Sequence, residues 1–251
     1  MKIRIKFRKY GTMKFIGHLD VMRYFQKAIR RADVDVCYSG GFSPHQIMSF
    51  AAPLGVGNTS NGEYVDIEVS STKDSETMKK CLNGVMSEGF EVVSYRGLPD
   101  DAANAMSIVG AGDYTLAFRP RYVPEDMDKE TWFQGLIAFF ERPSVMVTKK
   151  TKRGEKEMDL KPLVYELRIC PEGDGEMEGP RLFMKISAGS AANVKPEQVL
   201  DAYYGFLGKE RPPFAFMVQR EEVYADRASD AEKEAGIHSF ISLEQLGEEI
   251  R

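Results

Sequence analysis

The residues of this 251-residue chain best suited to chemistry lie between His18 and His45. Arg23, Lys27, Arg30 and Arg31 follow one another at near-helical spacing with no acid among them, which sets four cations along one side of a helix. Close behind comes Ser39-Gly40-Gly41-Phe42-Ser43-Pro44-His45. Adjacent glycines admit φ > 0, so successive backbone N–H groups can converge on one anion. Phe42 adds a ring that can stack, Ser43 a hydroxyl and His45 a titratable donor. Cations beside an aromatic ring on a glycine turn meet the needs of single-stranded nucleic acid, whose phosphates take donors and whose bases stack. His18 and His45, two of the three histidines, are also candidate general acids or bases, because imidazole titrates near neutral pH. A solvated helix face, an ordinary turn and two structural histidines are the plainer explanations of the same residues.

The helix that carries the cations is expected over residues 18–32, with Leu19, Met22, Phe25 and Ile29 on its core side and Asp20 in its first turn, where a negative charge suits the helix dipole. Before it, KIRIKFRK alternates as a half-exposed strand, Ile3, Ile5 and Phe7 to one side and Arg4, Lys6 and Arg8 to the other. Strands are expected over 47–52, 63–70 and 90–95, and a helix over 76–88 stopped by Gly89. That order, βαββαβ, predicts a ferredoxin-like domain over residues 1–98, with both helices on one face of an antiparallel sheet and the other face free, a frequent RNA platform.

Residues 98–104 read as a linker. A similar order follows: strand 114–119, helix 128–140, strand 144–150, a charged hairpin tip at 152–156, strand 163–169, an acidic glycine loop, strand 182–187, helix 196–206 and strand 214–224. The fold class expected is therefore α+β, two tandem ferredoxin-like domains with antiparallel sheets, the second over 105–226. Residues 227–251 form a charged tail, either a short peripheral helix or a mobile segment. Trp132 is expected in the core of the second domain, and Lys195-Pro196 reads as a helix start.

A chain with 43% hydrophobic and 11% aromatic residues can bury a substantial core, and no apolar run approaches the length of a membrane span. The beginning, MKIRIKFRKY, lacks the apolar stretch of a signal peptide, so a cytoplasmic protein with no membrane partner is expected. Cys37, Cys81 and Cys170 are far apart, without CxxC spacing, and read as small buried hydrophobes; no metal site is expected. The net charge is −4, yet residues 1–50 hold ten cations against three acids, a net +7 that leaves −11 for the remainder. Such asymmetry points to a localised anion-binding face.

The runs Phe15-Ile16-Gly17-His18-Leu19-Asp20-Val21-Met22-Arg23, Ala28-Ile29-Arg30-Arg31-Ala32, Tyr38 through His45, Ser49 through Gly55 and Glu63 through Glu68 resemble the radical-SAM-linked proteins, formerly a bacterial domain of unknown function. Asn193-Val194-Lys195-Pro196 and Leu200 fit as well, so the resemblance covers most of the chain. Members are encoded beside, or fused behind, a radical SAM protein with a cobalamin-binding-like domain. The resemblance implies partnership with such an enzyme; it does not imply an activity. This chain has no CxxxCxxC to ligate the iron–sulfur cluster of a radical SAM enzyme, and no cofactor is expected. At fold level the pattern is also similar to the RAMP superfamily of CRISPR RNA-processing proteins.

The function expected first is a non-catalytic accessory module that presents tRNA or rRNA to a radical SAM modifying enzyme. In it Arg4, Arg8, Arg23, Lys27, Arg30 and Arg31 hold phosphates, Gly40 and Gly41 cradle one, Phe42 stacks a base, and Ser43 and His45 add polar contacts. Two other classes compete with it. One is a metal-independent RNA endonuclease with His18 or His45 as base and Arg23 or Lys27 stabilising the phosphorane. The other is a protein-docking scaffold that meets the radical SAM partner through its acidic second domain.

Overall fold

The computed structural model describes residues 1–151, 154–173, 177–189 and 192–251. Lys152 and Arg153 of the expected hairpin tip, and 174–176 of the acidic glycine loop, lie outside the described residues. The chain is α+β and divides into two compact units, one made of Met1–Gly110 with Arg220–Arg251 and the other of Ala111–Gln219.

In the first unit, β1 (Lys2–Lys9) leads through a 3-10 turn to α1 (His18–Arg31), then β2 (Met48–Phe50), β3 (Thr59–Glu68), α2 (Ser75–Asn83), β4 (Phe90–Leu98) and the short α3 (Ala105–Ile108). β1 lies between β4 and β3, and β2 pairs with part of β3 through Met48↔Ile67, Ser49↔Asp66 and Phe50↔Val65. All three pairings are antiparallel.

One face of this sheet carries the core. Ile3, Ile5 and Phe7 of β1 meet Val21, Phe25 and Ile29 of α1 and Met78 and Leu82 of α2. Phe7 and Phe25 approach to 4.4 Å between ring centroids, and burying each such ring contributes about 2–3 kcal/mol. Leu19 departs from the expected core stripe: it is 63% exposed, and Val21 and Ala28 take the buried positions instead. The helix face is thereby rotated toward Val21, so Leu19 sits at its solvent margin.

The opposite face holds a charged layer rather than open solvent. Arg4, only 2% exposed, forms a two-point pair with Asp66, Nε to Oδ1 at 2.8 Å and a second guanidinium N–H to Oδ2 at 2.9 Å, and also donates to the Leu243 carbonyl. Lys6 reaches Glu222 at 2.7 Å and Glu244 at 3.1 Å. The Tyr64 hydroxyl donates to Glu222 at 2.6 Å, and burial followed by that carboxylate pushes the phenol far up.

The covering segment comes from the far end of the chain. β10 (Phe216–Asp226) begins in the second unit and ends in the first. After it come α6 (Asp230–Glu234), β11 (Phe240–Ser242), which pairs with β10, and a 3-10 turn over Leu243–Leu246. Glu248 bridges Gly97, and the Ile250 amide donates to Ser75 Oγ at 2.8 Å. Residues 227–251 are thus hydrogen-bonded back into the first unit, which is why Arg4 and Lys6 do not project into solvent as their alternation with Ile3 and Ile5 suggests.

In the second unit, β5 (Val109–Phe118) precedes α4 (Lys129–Phe140), the hairpin β6 (Met146–Thr151) and β7 (Gly154–Asp159), β8 (Val164–Gly173), β9 (Gly179–Ser187) and α5 (Pro196–Phe206). Its strands are ordered β10-β5-β9-β8, with antiparallel β5/β9 and β8/β9 pairs. Trp132 is buried as expected, edge-on to Phe118 at 5.0 Å and to Tyr203 at 4.9 Å. Gly135 lets α4 and α5 approach, because a Cβ there would collide with the Tyr203 hydroxyl. No helix among the described residues is long and apolar enough to cross a membrane.

Two measurable consequences follow from the charged layer. Asp66→Ala strands the buried Arg4 guanidinium and is expected to cost about 3–5 kcal/mol in denaturant unfolding, whereas Arg4→Met with Asp66→Leu costs far less. Burial alone would raise the Glu244 carboxyl, yet Lys6, Ser94 and Arg96 hold it below the ordinary 4.5. Asp226 is likewise held below 3.8 against burial by His238 and the Ser239 and Ala228 amides. A depressed carboxyl stabilises the fold above its unfolded value and loses that contribution as pH falls through the folded one. Below about pH 4, hydrogen exchange is therefore expected to accelerate over residues 240–250 before it does in β1.

Candidate functional site

The candidate surface belongs to the first unit. α1 starts at Gly17, which contributes no capping side chain, and ends with Arg30 and Arg31 in its last turn, where cations oppose the helix dipole favourably. With Val21, Phe25, Ala28 and Ile29 committed to the core, the positions Arg23, Lys27, Arg30 and Arg31 are exposed. Arg23 contacts Asp20 at 3.3 Å with both side chains mostly in water, a pairing worth little. Arg30 donates to the Gln26 carbonyl at 3.3 Å and Arg31 to the Val85 carbonyl at 3.1 Å. Lys27 makes no hydrogen bond or ion pair among the described residues. The face therefore carries more positive charge than the single exposed pair with Asp20 offsets.

The glycine loop is closed at its base. The Ser39 amide donates to the His45 carbonyl at 2.8 Å, the His45 amide donates to Ser39 Oγ at 3.1 Å, and Ser39 Oγ meets His45 Nδ1 at 2.8 Å. Below that pinch Tyr38 bridges Gln46, and the Ile47 amide donates to the Cys37 carbonyl at 2.9 Å. Gly41 turns the tip with φ +101°, a conformation that glycine alone adopts without strain. The result is a Phe42 ring fully exposed at 112%, beside exposed Gly40, Gly41, Ser43 and His45.

One residue ties the loop to the helix. Gln46 is 5% exposed and its side-chain amide donates to the Gln26 carbonyl at 3.2 Å, the same carbonyl that receives Arg30. The loop and the basic face thus share an anchor, which the sequence did not advertise because Gln46 carries no distinctive spacing.

The other expected residues separate from this group. Arg4 is a correction: it is buried against Asp66 under Leu243 and is removed from any phosphate-binding set. Arg8 is half exposed and paired with Glu91 at 3.2 Å. His18 is half buried at the start of α1, its ring edge-on to Phe50 at 5.3 Å. His45 is held by Ser39. Among the described residues neither histidine is oriented by a carboxylate, as a general base usually is, and no group of three or more metal-ligating side chains occurs. The cysteines are free and half-buried.

The loop makes a sharp mutational contrast. Phe42→Ala is expected to change stability by less than about 0.5 kcal/mol, and Gly41→Ala to cost about 1 kcal/mol through its backbone alone, both read by thermal unfolding. A large loss in Phe42→Ala would mean that the ring packs against the protein.

No curated protein matches the chain. A family model does: that of an uncharacterized protein conserved in bacteria (DUF2344) matches residues 2–196, a stretch that holds β1, α1, the glycine loop and most of the second unit. The chain belongs to this family of uncharacterized bacterial proteins.

Proposed function

We propose that the protein is a non-catalytic RNA-binding accessory module. One observation carries the reading: an exposed cationic helix face shares the Gln26 anchor with a pinched loop that holds Phe42 wholly in solvent. Protein interiors claim large aromatic rings, so a fully exposed one beside four cations suits a base that stacks while phosphates pair. Arg23, Lys27, Arg30 and Arg31 hold the backbone, Arg8 contributes at the margin, Gly40 and Gly41 admit close approach, Phe42 stacks, and Ser43 and His45 offer hydrogen bonds.

The helix side, not the sheet, is the binding surface in this reading. A ferredoxin-like first domain, for which the run β4-β1-β3 and the β2/β3 pairing speak, ordinarily offers its open sheet face to RNA. Here Leu243 and Glu244 lie over that face. The second unit is read as a second ferredoxin-like domain with β6 and β7 as its added hairpin. The radical SAM partnership rests on the sequence resemblance, tRNA or rRNA as the shared substrate on the cations and the exposed ring, and the cytoplasmic setting on an N-terminal stretch unlike a signal peptide. An endonuclease is the weaker reading, because neither histidine has a second catalytic partner at hand.

A gel shift of purified protein against bulk tRNA and rRNA fragments over a salt series tests the reading. Arg23→Glu with Arg30→Glu is expected to abolish binding at physiological salt, and the milder Arg23→Gln with Arg30→Gln to reduce the slope of log affinity against log salt by about 1.4. Phe42→Ala is expected to cost about 1–3 kcal/mol of affinity with the slope kept. Wild-type protein that binds neither RNA at low salt would sink the RNA reading and leave docking to a protein partner.

A further inference from the structure

β1 ends in a residue that its own strand misplaces. Period-2 alternation puts Lys9 on the side of Ile3, Ile5 and Phe7, the core side, and Lys9 is only 2% exposed. Its ammonium makes no hydrogen bond or ion pair among the described residues. Such a group is costly to bury. Burial, opposed by Glu63 and reinforced by Arg220, holds it below the ordinary lysine range.

Lys9 lines a small crevice together with His18, Glu63, Phe50 and the Ala52–Leu54 segment. The walls are rigid for a stated reason. Arg220, 3% exposed, donates to the Glu63 carboxylate through Nε at 2.9 Å and again through a terminal N–H, and it also donates to the Ala52 carbonyl at 2.6 Å. One cation thus fixes both sides. Glu63 is already committed to Arg220, so Lys9, Arg220 and Glu63 leave a net charge of +1 in a water-poor place. The crevice also abuts the first turn of α1, where Gly17 supplies no capping side chain and the helix dipole is positive. Its interior has room for about one water-sized group.

We propose that this crevice is an oxyanion site, in which one oxygen of a phosphate group enters to meet the Lys9 ammonium while the rest of the ligand stays at the mouth beside His18. The site goes beyond the RNA reading, since none of its residues belongs to the basic helix face or the glycine loop. Entry of an anion supplies the Lys9 ammonium with a hydrogen-bonded partner beside Phe50. Two sources offer this chemistry: the terminal phosphate of an RNA strand, or a small phosphomonoester.

The test uses the full-length protein and inorganic phosphate as the probe. Thermal unfolding is expected to shift upward progressively with phosphate, measured against chloride at equal ionic strength. Lys9→Met, close in shape and uncharged, is expected to fold with an equal or higher midpoint and to lose the phosphate response. Arg23→Glu with Arg30→Glu is expected to retain it, which keeps this site separable from the RNA surface. Should Lys9→Met fail to fold, phosphate-induced shifts of the Lys9 and Gly17–Asp20 amide resonances in the wild type decide the matter. Absence of those shifts, or an equal response in Lys9→Met, overturns the proposal. A 5′-phosphorylated oligoribonucleotide that binds at least tenfold tighter than its hydroxyl-ended twin, with the advantage lost in Lys9→Met, assigns the phosphate to RNA. Equal binding of the two, with the phosphate response intact, assigns it to a small phosphomonoester.

Discussion

The buried pair between Arg4 and Asp66 is the contact on which the first unit depends. It joins β1 to β3 across the sheet at a register position where the two residues face each other. Its remaining hydrogen-bonding capacity reaches outward: Asp66 also accepts the Ala105 amide at 2.8 Å, and Arg4 donates to the Leu243 carbonyl at 3.2 Å. A buried ion pair contributes little net stability over an apolar pair. What it does here is specify which segments lie over that side of the sheet. The chain between β4 and β5 and the returning C-terminal residues are both read by this one pair.

That specification decides where a ligand can go. With the outer sheet face occupied by Leu243, Glu244 and Glu222, Arg4 and Lys6 of β1 are spent internally. The cations of α1 are not. They face water because the opposite side of the helix is filled by Val21, Phe25, Ala28 and Ile29. The positive bias of the first 50 residues therefore divides by physical circumstance into a structural share, Arg4 and Lys6, and a solvent-facing share, Arg23, Lys27, Arg30 and Arg31. Lys9 belongs to neither, which is why it singles out a separate crevice.

Much of this was legible from residue order. The 3.6-residue spacing of Phe25 and Ile29 locates α1, the alternation in KIRIKFRK locates β1, and Lys195-Pro196 starts α5. Two features were not legible. Burial of Arg4 depends on residues more than 200 positions away, and a half-polar strand gives no hint that a distant segment will cover it. The role of residues 227–251 was hidden for the complementary reason: the segment is charged and poor in large apolar side chains, and it attaches through Glu244, the Glu248 bridge and Ile250 rather than through a hydrophobic stripe. Lys9 was legible and passed over, since strict alternation already placed it with Ile3, Ile5 and Phe7.

Where RNA touches the protein can be read directly by ultraviolet cross-linking of the complex followed by mass spectrometry of the adducts. If α1 and the glycine loop form the surface, adducts fall on the peptide that carries Phe42, with neighbouring adducts between Arg23 and Arg31. Adducts confined to the outer sheet face or to the second unit, with Phe42 unmodified, would contradict it.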